Sequence, residues 1–412
     1  MSRILVYTSP SRGHLYPLVP TLEALREHGH DVSIRTLASA VPMLLELGFG
    51  AAAVDERAER IQNDDWRART PIGAQRRDVA TYVQRAPYEL AEVRGAIDEA
   101  DALLIDCTAW GAAIAAETSG RPWAMFGHFP LPIASRDAPP YGLGLAPRRD
   151  NLGRARDALM RRAVLAPLER MVLPPLNELR SREGLRPLSD ATQFFAGTAP
   201  LVLYYTAEPF EYRRRDWPPS VRLVGPGVWD PPSDPPAWLD SIERPLLLVT
   251  CSSEFQDDGK LARVSLQLAG GGYEVAVTTA GVDPGEVPVP AGAHVERFLP
   301  HRPLLERAAC VVCHGGMGIT QKALAAGVPV CAVPFGRDQF EVARRVEVAG
   351  AGVRLPAGRL NPRRLRRAIE AAIARRPGAQ AIAAAFRAAA GAAGAAQEIE
   401  SLIASRHHAH AR

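Results

Sequence analysis

The residues most suited to chemistry form a glycine-rich run at positions 313–318, in which a histidine is followed by three glycines within four positions. Residues 310–313 are apolar and predict a strand. Residues 319–326 predict a helix that ends at Gly327, before Pro329. Such a turn lets a ligand approach unpaired amides and the positive end of the helix dipole. The pattern predicts an anion site, and a tight strand–helix connection without a ligand is the alternative.

A second candidate for chemistry is a histidine after the first predicted strand. His14 follows residues 4–8 and should lie at the carboxyl edge of a sheet, where doubly wound domains bind ligands. Asp106 follows the predicted strand 102–105 and is expected at the same edge. A carboxylate there would fix the tautomer of the imidazole and raise its basicity. Taken alone, His14 is more often a turn residue, and Asp106 can equally cap a helix near Thr108.

Strands and helices alternate in both halves of the chain, which predicts an α/β protein with parallel sheets. The predicted strands are residues 4–8, 32–36, 102–105, 123–126, 202–205, 222–224, 246–250, 274–278, 293–298, 310–313 and 330–333. Helices are predicted at residues 18–28, 261–269 and 339–349. Residues 155–179 are helical in character but interrupted near Pro167 and residues 174–175.

The segment 225–236 is so rich in proline and glycine that it predicts an extended connection. We therefore predict a doubly wound N-terminal domain at residues 1–225, a linker at 226–238 and a second doubly wound domain at 239–390. The remaining residues, 391–412, form a helix and tail that can pack back on the N-terminal domain. The two domains are expected to face each other across a cleft.

Composition excludes several classes of protein. The chain has 412 residues and a net charge of +4, and its arginine clusters lack interleaved aromatic residues, which argues against nucleic-acid binding. Cys310 and Cys313 have CxxC spacing, but residues three apart in a strand face opposite sides, which argues against a metal or redox role. The histidines at 407, 408 and 410 are interpreted as a frayed end. No apolar run has the length of a membrane span or a secretion signal, and we expect a cytoplasmic protein.

Two such domains joined by a proline-rich linker, with a phosphate turn in the second, resemble the GT-B glycosyltransferases. Residues 295–356 are similar to the nucleotide-sugar signature of family 1, particularly of bacterial enzymes that glycosylate macrolides, enediynes and other hydrophobic natural products. The resemblance is carried, in order, by residues 9–17 (SPSRGHLYP), 140–144 (PYGLG), 223–226 (LVGP), 298–301 (FLPH), 314–316 (HGG) and 338–339 (DQ).

The resemblance implies inverting, metal-independent transfer of a sugar from a UDP- or dTDP-sugar to a hydroxyl of a hydrophobic acceptor, with no cofactor. It implies that His14 is the base and Asp106 its partner. The donor-binding residues that it implies are Ser252, Ser253, Phe298, Leu299, His314, Gly315, Gly316, Met317, Gly318, Lys322, Asp338 and Gln339. Among these, residues 298–301 resemble the segment that packs on the pyrimidine and reads it through main-chain groups, with Leu299 as the expected contact. Asp338 and Gln339 are expected to bind sugar hydroxyls.

Some positions carry a second interpretation. Lys322 stands where many relatives have a glutamate for the ribose hydroxyls, so the donor nucleoside stays open; it can serve phosphate or ribose, or be an exposed helix residue. Asp338 with Glu341 also forms a capping-box pattern. The acceptor is expected against variable loops at residues 66–88 and 126–141, and aromatic candidates there are Trp66, Phe126, Phe129 and Tyr141.

Two other functions share this architecture: a sugar-nucleotide epimerase and a non-catalytic helper of a partner enzyme. A helper needs no His14–Asp106 pair. A dehydrogenase is disfavoured because neither domain has Gly-x-Gly-x-x-Gly in its first strand–helix turn. The expected partners are a small hydrophobic acceptor and a nucleotide sugar, without nucleic acid or membrane insertion, for a monomer or homodimer.

Overall fold

A computed structural model describes residues 1–148, 150–254 and 256–410, with all their side chains except those of 164, 165, 286 and 406–410. Within these residues the first half forms a parallel sheet of seven strands: β1 (Arg3–Tyr7), β2 (Asp31–Thr36), β3 (Gly50–Ala53), β4 (Ala102–Asp106), β5 (Trp123–Gly127), β6 (Leu201–Tyr204) and β7 (Val221–Leu223). Their order is β3-β2-β1-β4-β5-β6-β7.

The second half forms another parallel sheet, which has six strands among the described residues: β8 (Leu246–Thr250), β9 (Glu274–Thr278), β10 (Ala293–Glu296), β11 (Ala308–Cys313), β12 (Val330–Ala332) and β13 (Gly352–Arg354). Their order is β10-β9-β8-β11-β12-β13. In both sheets the order reverses beside the first strand of the half, as in doubly wound folds. The predicted two-domain α/β architecture is confirmed.

Helices cover both faces of the sheets. In the first half they are α1 (Arg12–Leu15), α2 (Val19–Glu27), α3 (Val41–Glu46), α4 (Glu56–Arg60), α5 (Pro71–Ala96), α6 (Trp110–Thr118), α7 (Asn151–Arg182) and α8 (Ala191–Ala196). In the second half they are α9 (Gly259–Leu266), α10 (His301–Arg307), α11 (Met317–Ala325), α12 (Gln339–Val348), α13 (Pro362–Ile373), α14 (Arg376–Ala388) and α15 (Gly391–His410).

Burial of the sheets on both faces explains their apolar strands. Ile4 and Val6 of β1 pack into a core that also contains residues of α2 and α15. Leu5 and Tyr7 point to the opposite core, against α5 and α6. In the other sheet, Cys310 and Cys313 likewise belong to different cores, and all five cysteines are buried and unpaired. The strand argument against a CxxC site is therefore confirmed.

Strand register brings the candidate residues to common edges. In the first sheet Tyr7 of β1 pairs with Ile105 of β4, so the loops that follow these two strands emerge together. In the second sheet Thr250 of β8 pairs with Cys313 of β11. The loops after β8 and β11, which carry Ser252 and His314, therefore share one edge of that sheet.

Two expectations about helices are wrong. Most of the region expected to be variable loops, at residues 66–88, lies in the 26-residue helix α5, which packs so closely on α6 that a Cβ on Gly111 would lie 1.9 Å from the Ala86 carbonyl oxygen. Helix α7 runs without interruption through its prolines. Pro167 and Pro174 are exposed, so water can satisfy the carbonyls that lose an amide partner.

Two segments connect the halves of the chain: the stretch between β7 and β8, and helix α15. Between β7 and β8, a stretch that is described throughout, the only regular element is a 3₁₀ turn at Ala237–Ser241. Helix α15 returns to the first half: Ala395, Ala396 and Ile399 are buried against α2, and Glu400 accepts hydrogen bonds from His28 and His30 at 2.9 and 3.1 Å. Among the described residues, no helix is both long and apolar enough to cross a membrane.

Candidate active site

His14 and Asp106 lie side by side at the carboxyl edge of the first sheet. His14 belongs to α1, the single helical turn after β1, and Asp106 is the last residue of β4. Nδ1 of His14 lies 2.7 Å from Oδ2 of Asp106. Asp106 is fully buried, whereas 19% of the His14 side chain is exposed. The imidazole can therefore meet a ligand while its carboxylate partner stays out of solvent.

The turn residues around Asp106 hold its carboxylate in place. The Ser9 amide donates to Oδ2 at 3.1 Å, and the amide and hydroxyl of Thr108 donate to Oδ1 at 2.9 and 2.7 Å. Asp106 therefore binds His14 and also orders the turn before α6, so both interpretations of this residue apply. With Nδ1 of a neutral His14 donating to Asp106, the other ring nitrogen, Nε2, is an acceptor.

The charges of the pair support each other. Burial disfavours the imidazolium, but Asp106 outweighs burial and raises the pKa of His14 above its ordinary value. Burial likewise opposes ionisation of Asp106, yet His14 holds the pKa of this carboxyl well below its usual range. Near neutral pH Asp106 is a carboxylate, and His14 is a stronger base than an isolated histidine.

A second histidine, which the sequence analysis missed, packs against this pair. The ring of His128, just after β5, lies 4.1 Å from that of His14, centroid to centroid, at an interplanar angle of 64°. His128 is buried, and its Nδ1 has no hydrogen-bond partner among the described residues. Burial and the neighbouring His14 lower the pKa of His128 to about 3, so it is neutral. The apolar run around it predicted only a strand end.

In the second domain the glycine run forms the turn between β11 and α11. Gly315 has φ +90°, a conformation that favours glycine, and a Cβ on Gly316 would lie 2.3 Å from Nε2 of His314. The helix begins at Met317, two residues earlier than expected, and no side chain caps it. Its first amides, which include those of Met317 and Gly318, lack intrahelical partners and can bind an anion.

His314 itself is a neutral side chain in this setting. It is buried, and burial lowers its pKa below the ordinary value, although the Asp258 carboxylate 4.0 Å from Nδ1 opposes that shift. The charged form that a charge-assisted bond to phosphate requires is therefore disfavoured. A hydrogen bond from a neutral ring N–H remains available to a phosphate oxygen.

The two serines after β8 differ in position. Ser252 is buried, and its amide donates to Asp258 at 2.7 Å. Ser253 is exposed and faces the other domain: its hydroxyl would lie 3.6 Å from a Cβ on Gly13, next to His14. Ser253 is thus the serine that lies between the phosphate turn and the His14–Asp106 pair.

The capping box expected from Asp338 and Glu341 is wrong. Asp338 makes no side-chain cap to α12, and its backbone is already helical. Glu341 instead accepts the amides of Gly142 and Gly144 of the first domain at 2.9 and 2.8 Å. Those loop amides have no helical partner, so they bind the carboxylate more readily than the helix end does. Burial raises the pKa of Asp338 to about 6, and its carboxyl stays available to a ligand.

Gln339 uses its side-chain amide within the protein. Its Oε1 accepts the amides of Phe335 and Gly336 at 2.9 and 3.1 Å, and its Nε2 donates to Gln256 at 2.6 Å. The side chain is buried. Gln339 therefore shapes the loop that presents Asp338, and the second hydrogen of its Nε2 is left for a direct bond to a sugar hydroxyl.

The remaining donor candidates separate into core and surface. The Leu299 side chain packs in the core of the second domain, which leaves its main chain for the expected contact with a base. Phe298 is half exposed, and the Arg12 guanidinium lies 4.6 Å from its ring centroid. Lys322 is not an exposed helix residue either: it forms an ion pair with Asp230 of the linker.

The aromatic acceptor candidates also separate. Phe126 is fully buried in the sheet core and cannot line a pocket. Phe129 is partly buried, with its ring centroid 5.4 Å from that of His128. Tyr141 is partly exposed, in the loop whose amides bind Glu341. Trp66 is partly exposed, and the Arg67 guanidinium lies 5.0 Å from its ring. Phe129 lies nearest to the His14–His128 pair.

Arg337 is a site residue that the sequence analysis missed. Its guanidinium reaches Asp65 of the first domain at 2.7 and 3.0 Å and Glu254 of the second at 2.8 Å. Arg337 also has φ +53°, unusual for a residue with a side chain. The position of Arg337 beside Asp338 could have indicated a site residue from the sequence. Nothing in the neighbouring sequence indicated its partners Asp65 and Glu254.

Comparisons with known proteins agree with this geometry. Residues 266–404 match the C-terminal domain of the erythromycin biosynthesis protein CIII-like family. The 4'-demethylrebeccamycin synthase of Lentzea aerocolonigenes is 33% identical over 390 residues, which span 90% of this chain and 92% of that protein. The calicheamicin glycosyltransferase superposes with a TM-score of 0.71 at 21% identity, over 98% of this chain and 99% of the other. A Streptomyces sp. SF2575 glycosyltransferase complexed with thymidine diphosphate gives a TM-score of 0.68 at 20% identity, over 97% and 100% of the two chains.

The fold and the site define a GT-B enzyme. The chain belongs to the family 1 glycosyltransferases of natural-product biosynthesis, as the full-length similarity to the rebeccamycin-type enzyme establishes. The resemblance noted from the sequence is confirmed, and the helper and epimerase alternatives are set aside.

Proposed function

We propose that this glycosyltransferase moves a sugar from a nucleoside diphosphate to a hydroxyl of a hydrophobic acceptor, with inversion and without a metal. The observation that carries the proposal is the His14–Asp106 pair, whose imidazole is partly exposed while its carboxylate is buried. An acceptor hydroxyl at Nε2 would lose its proton to His14. Asp106 would then stabilise the imidazolium that forms.

The position of the base in one domain and of the phosphate turn in the facing domain supports inversion. Ser253, beside the phosphate turn, approaches Gly13, next to the base. A donor held by the second domain would therefore present its anomeric carbon between the base and the diphosphate. Attack from the side opposite to the leaving group in a single displacement inverts the anomeric configuration.

The leaving diphosphate would be stabilised by α11. Its uncapped first turn offers amides and the positive end of the helix dipole, which are placed before the reaction begins. Gly315 and Gly316 let the phosphate approach the backbone, and neutral His314 can add one hydrogen bond. These groups can carry the departing charge, which is the support for metal independence.

The sugar and the acceptor would meet the remaining candidates. Asp338 would accept hydrogen bonds from sugar hydroxyls, since its carboxyl is not used as a cap. Lys322 is held by Asp230, so a ribose reader there is not expected. The thymidine diphosphate complex of a structural neighbour makes dTDP-sugars the first donors to test. Phe129 and Tyr141 suit a flat or apolar acceptor.

The test incubates the full chain with dTDP-glucose or UDP-glucose and a panel of phenolic and macrolide acceptors. We expect a product of inverted anomeric configuration by NMR, formed equally after EDTA treatment. His14→Ala should lower kcat by about 10²- to 10⁴-fold, the usual contribution of a general base. Full activity of that variant would overturn the role of His14, and loss of activity after EDTA treatment would overturn metal independence.

A further inference from the structure

His14, Asp106 and His128 together form a group of metal-ligand type. Each offers one ligand atom, and these atoms all lie within 4.8 Å of one another. Asp106 and His128 are buried, and His14 opens to the cleft, which is a path for an ion. Two imidazole nitrogens and a carboxylate oxygen are a ligand set that Zn²⁺ prefers.

The unpartnered nitrogen of His128 is a second, independent observation. His128 is 8% exposed, and its Nδ1 makes no hydrogen bond to any described residue. A buried polar atom without a partner is destabilising, and a phenylalanine packed against His14 would avoid that cost. The nitrogen is therefore suited to a ligand.

The distances permit a zinc ion after a small movement. Zinc lies about 2.0–2.2 Å from nitrogen and oxygen ligands, so tetrahedral ligand atoms are about 3.3 Å apart. His14 Nδ1 and Asp106 Oδ2 are already 2.7 Å apart. The ligand atoms are at most 4.8 Å apart. The third ligand atom therefore has to approach the other two by at most about 1.5 Å to reach the spacing of a zinc site. The fourth position would face the cleft.

We propose that this group is an inhibitory Zn²⁺ site that shares His14 with the base function. A zinc ion at Nε2 takes the lone pair that the acceptor proton needs. At Nδ1 it displaces the proton donated to Asp106, and that proton moves to Nε2, so the ring stays neutral with no free lone pair. In either case His14 no longer accepts a proton, so the bound metal blocks the transfer. The inhibitory effect rests on the proposed base role of His14, whereas the site itself does not.

His128→Phe is the decisive variant, because it keeps a ring against His14 and removes one ligand. All samples carry asparagine at positions 407, 408 and 410, so that the terminal histidines do not bind zinc. Zn²⁺ binding is measured by calorimetry, and Co²⁺ binding by the visible band of tetrahedral cobalt. Transfer activity is measured in parallel.

We expect one Zn²⁺ per chain, inhibition over the same concentration range, and a Kd at least about tenfold higher in His128→Phe, whose transfer activity is compared with and without the metal. His294→Ala, on the edge strand β10 of the second sheet, is the matched histidine control and should bind zinc as the unaltered protein does. Equal zinc binding by His128→Phe, or no stoichiometric binding at all, would overturn the site. Binding without inhibition would instead overturn the base role of His14.

Discussion

Arg345 joins the two domains inside a buried group of charges, and its replacement is the most quantitative test of the structure. Its Nε and Nη2 donate to the carboxylate of Glu211, each at 3.0 Å, and its Nη1 donates to Glu341 at 3.0 Å. Arg345 is 2% exposed and Glu211 is fully buried. Glu211 retains one other cation, Arg214, at 3.1 Å.

The expected loss follows from this charge count. Two carboxylates face two guanidinium groups, so Arg345→Met leaves one buried negative charge uncompensated, which costs about 3–5 kcal/mol. An unfolding entropy of about 2.1 cal/mol/K per residue gives about 0.9 kcal/mol/K for 412 residues. The Tm should therefore fall by about 3–6 °C if the chain unfolds as one unit, and by about twice that if each domain unfolds separately.

The dependence of this loss on pH has a defined sign. Burial alone would raise the pKa of Glu211, but Arg345 and Arg214 outweigh it and hold that pKa at about 2. This stabilisation is present above the unfolded pKa of about 4.3 and is lost as pH falls toward 2. In Arg345→Met, Glu211 takes up a proton at higher pH and relieves its own charge. The difference in Tm should therefore shrink in acid.

Thermal unfolding by calorimetry at pH 7 and in acid measures both effects. Arg344→Met is the matched control on the same helix: its partly exposed side chain pairs with Glu347 and donates to the Gly144 carbonyl, and its loss should cost about 1 kcal/mol. An unchanged Tm for Arg345→Met, or an equal fall in both variants, would refute the reasoning.

Three further predictions concern the site. Asp106→Asn removes the carboxylate that raises the pKa of His14, so the acid side of the pH profile of kcat/KM should move to lower pH. The maximum of that profile should drop about 10²-fold or more. An unchanged acid side would contradict the pairing of His14 with Asp106. Gly316→Ala places a Cβ 2.3 Å from the His314 ring and should raise the donor KM about tenfold or more. Gly318→Ala, whose Cβ meets nothing within 4 Å, should leave the donor KM unchanged. Equal effects of the two variants would argue against diphosphate binding at this turn. Because burial raises the pKa of Asp338 to about 6, the donor KM should rise as pH falls through 6. Asp338→Asn should abolish that pH dependence and raise the donor KM at pH 7. If the variant keeps the pH dependence, Asp338 is not its source.

Much of the fold could be predicted because its signals are local. The strand expected at residues 4–8 is β1, Arg3–Tyr7, and the helix expected at 339–349 is α12, Gln339–Val348. The long α5 was missed because Gly73 and Pro87 weaken its helical pattern, whereas its packing on α6 is a tertiary contact. Helix ends were predicted to within one or two residues where a glycine follows, as at Gly29 and Gly327.

The sequence by itself determined the two sheets, the glycine turn and the edge at which His14 and Asp106 meet. Alternating apolar runs predict parallel strands, and parallel strands gather their loops at one edge. Only the tertiary structure decided which side chains from different domains meet. Arg337 binds Asp65 across 272 residues of chain, and Glu341 leaves its own helix end for amides of the opposite domain. Such contacts form only when two complete domains pack together, and the local spacing of residues in the sequence does not indicate how they pack.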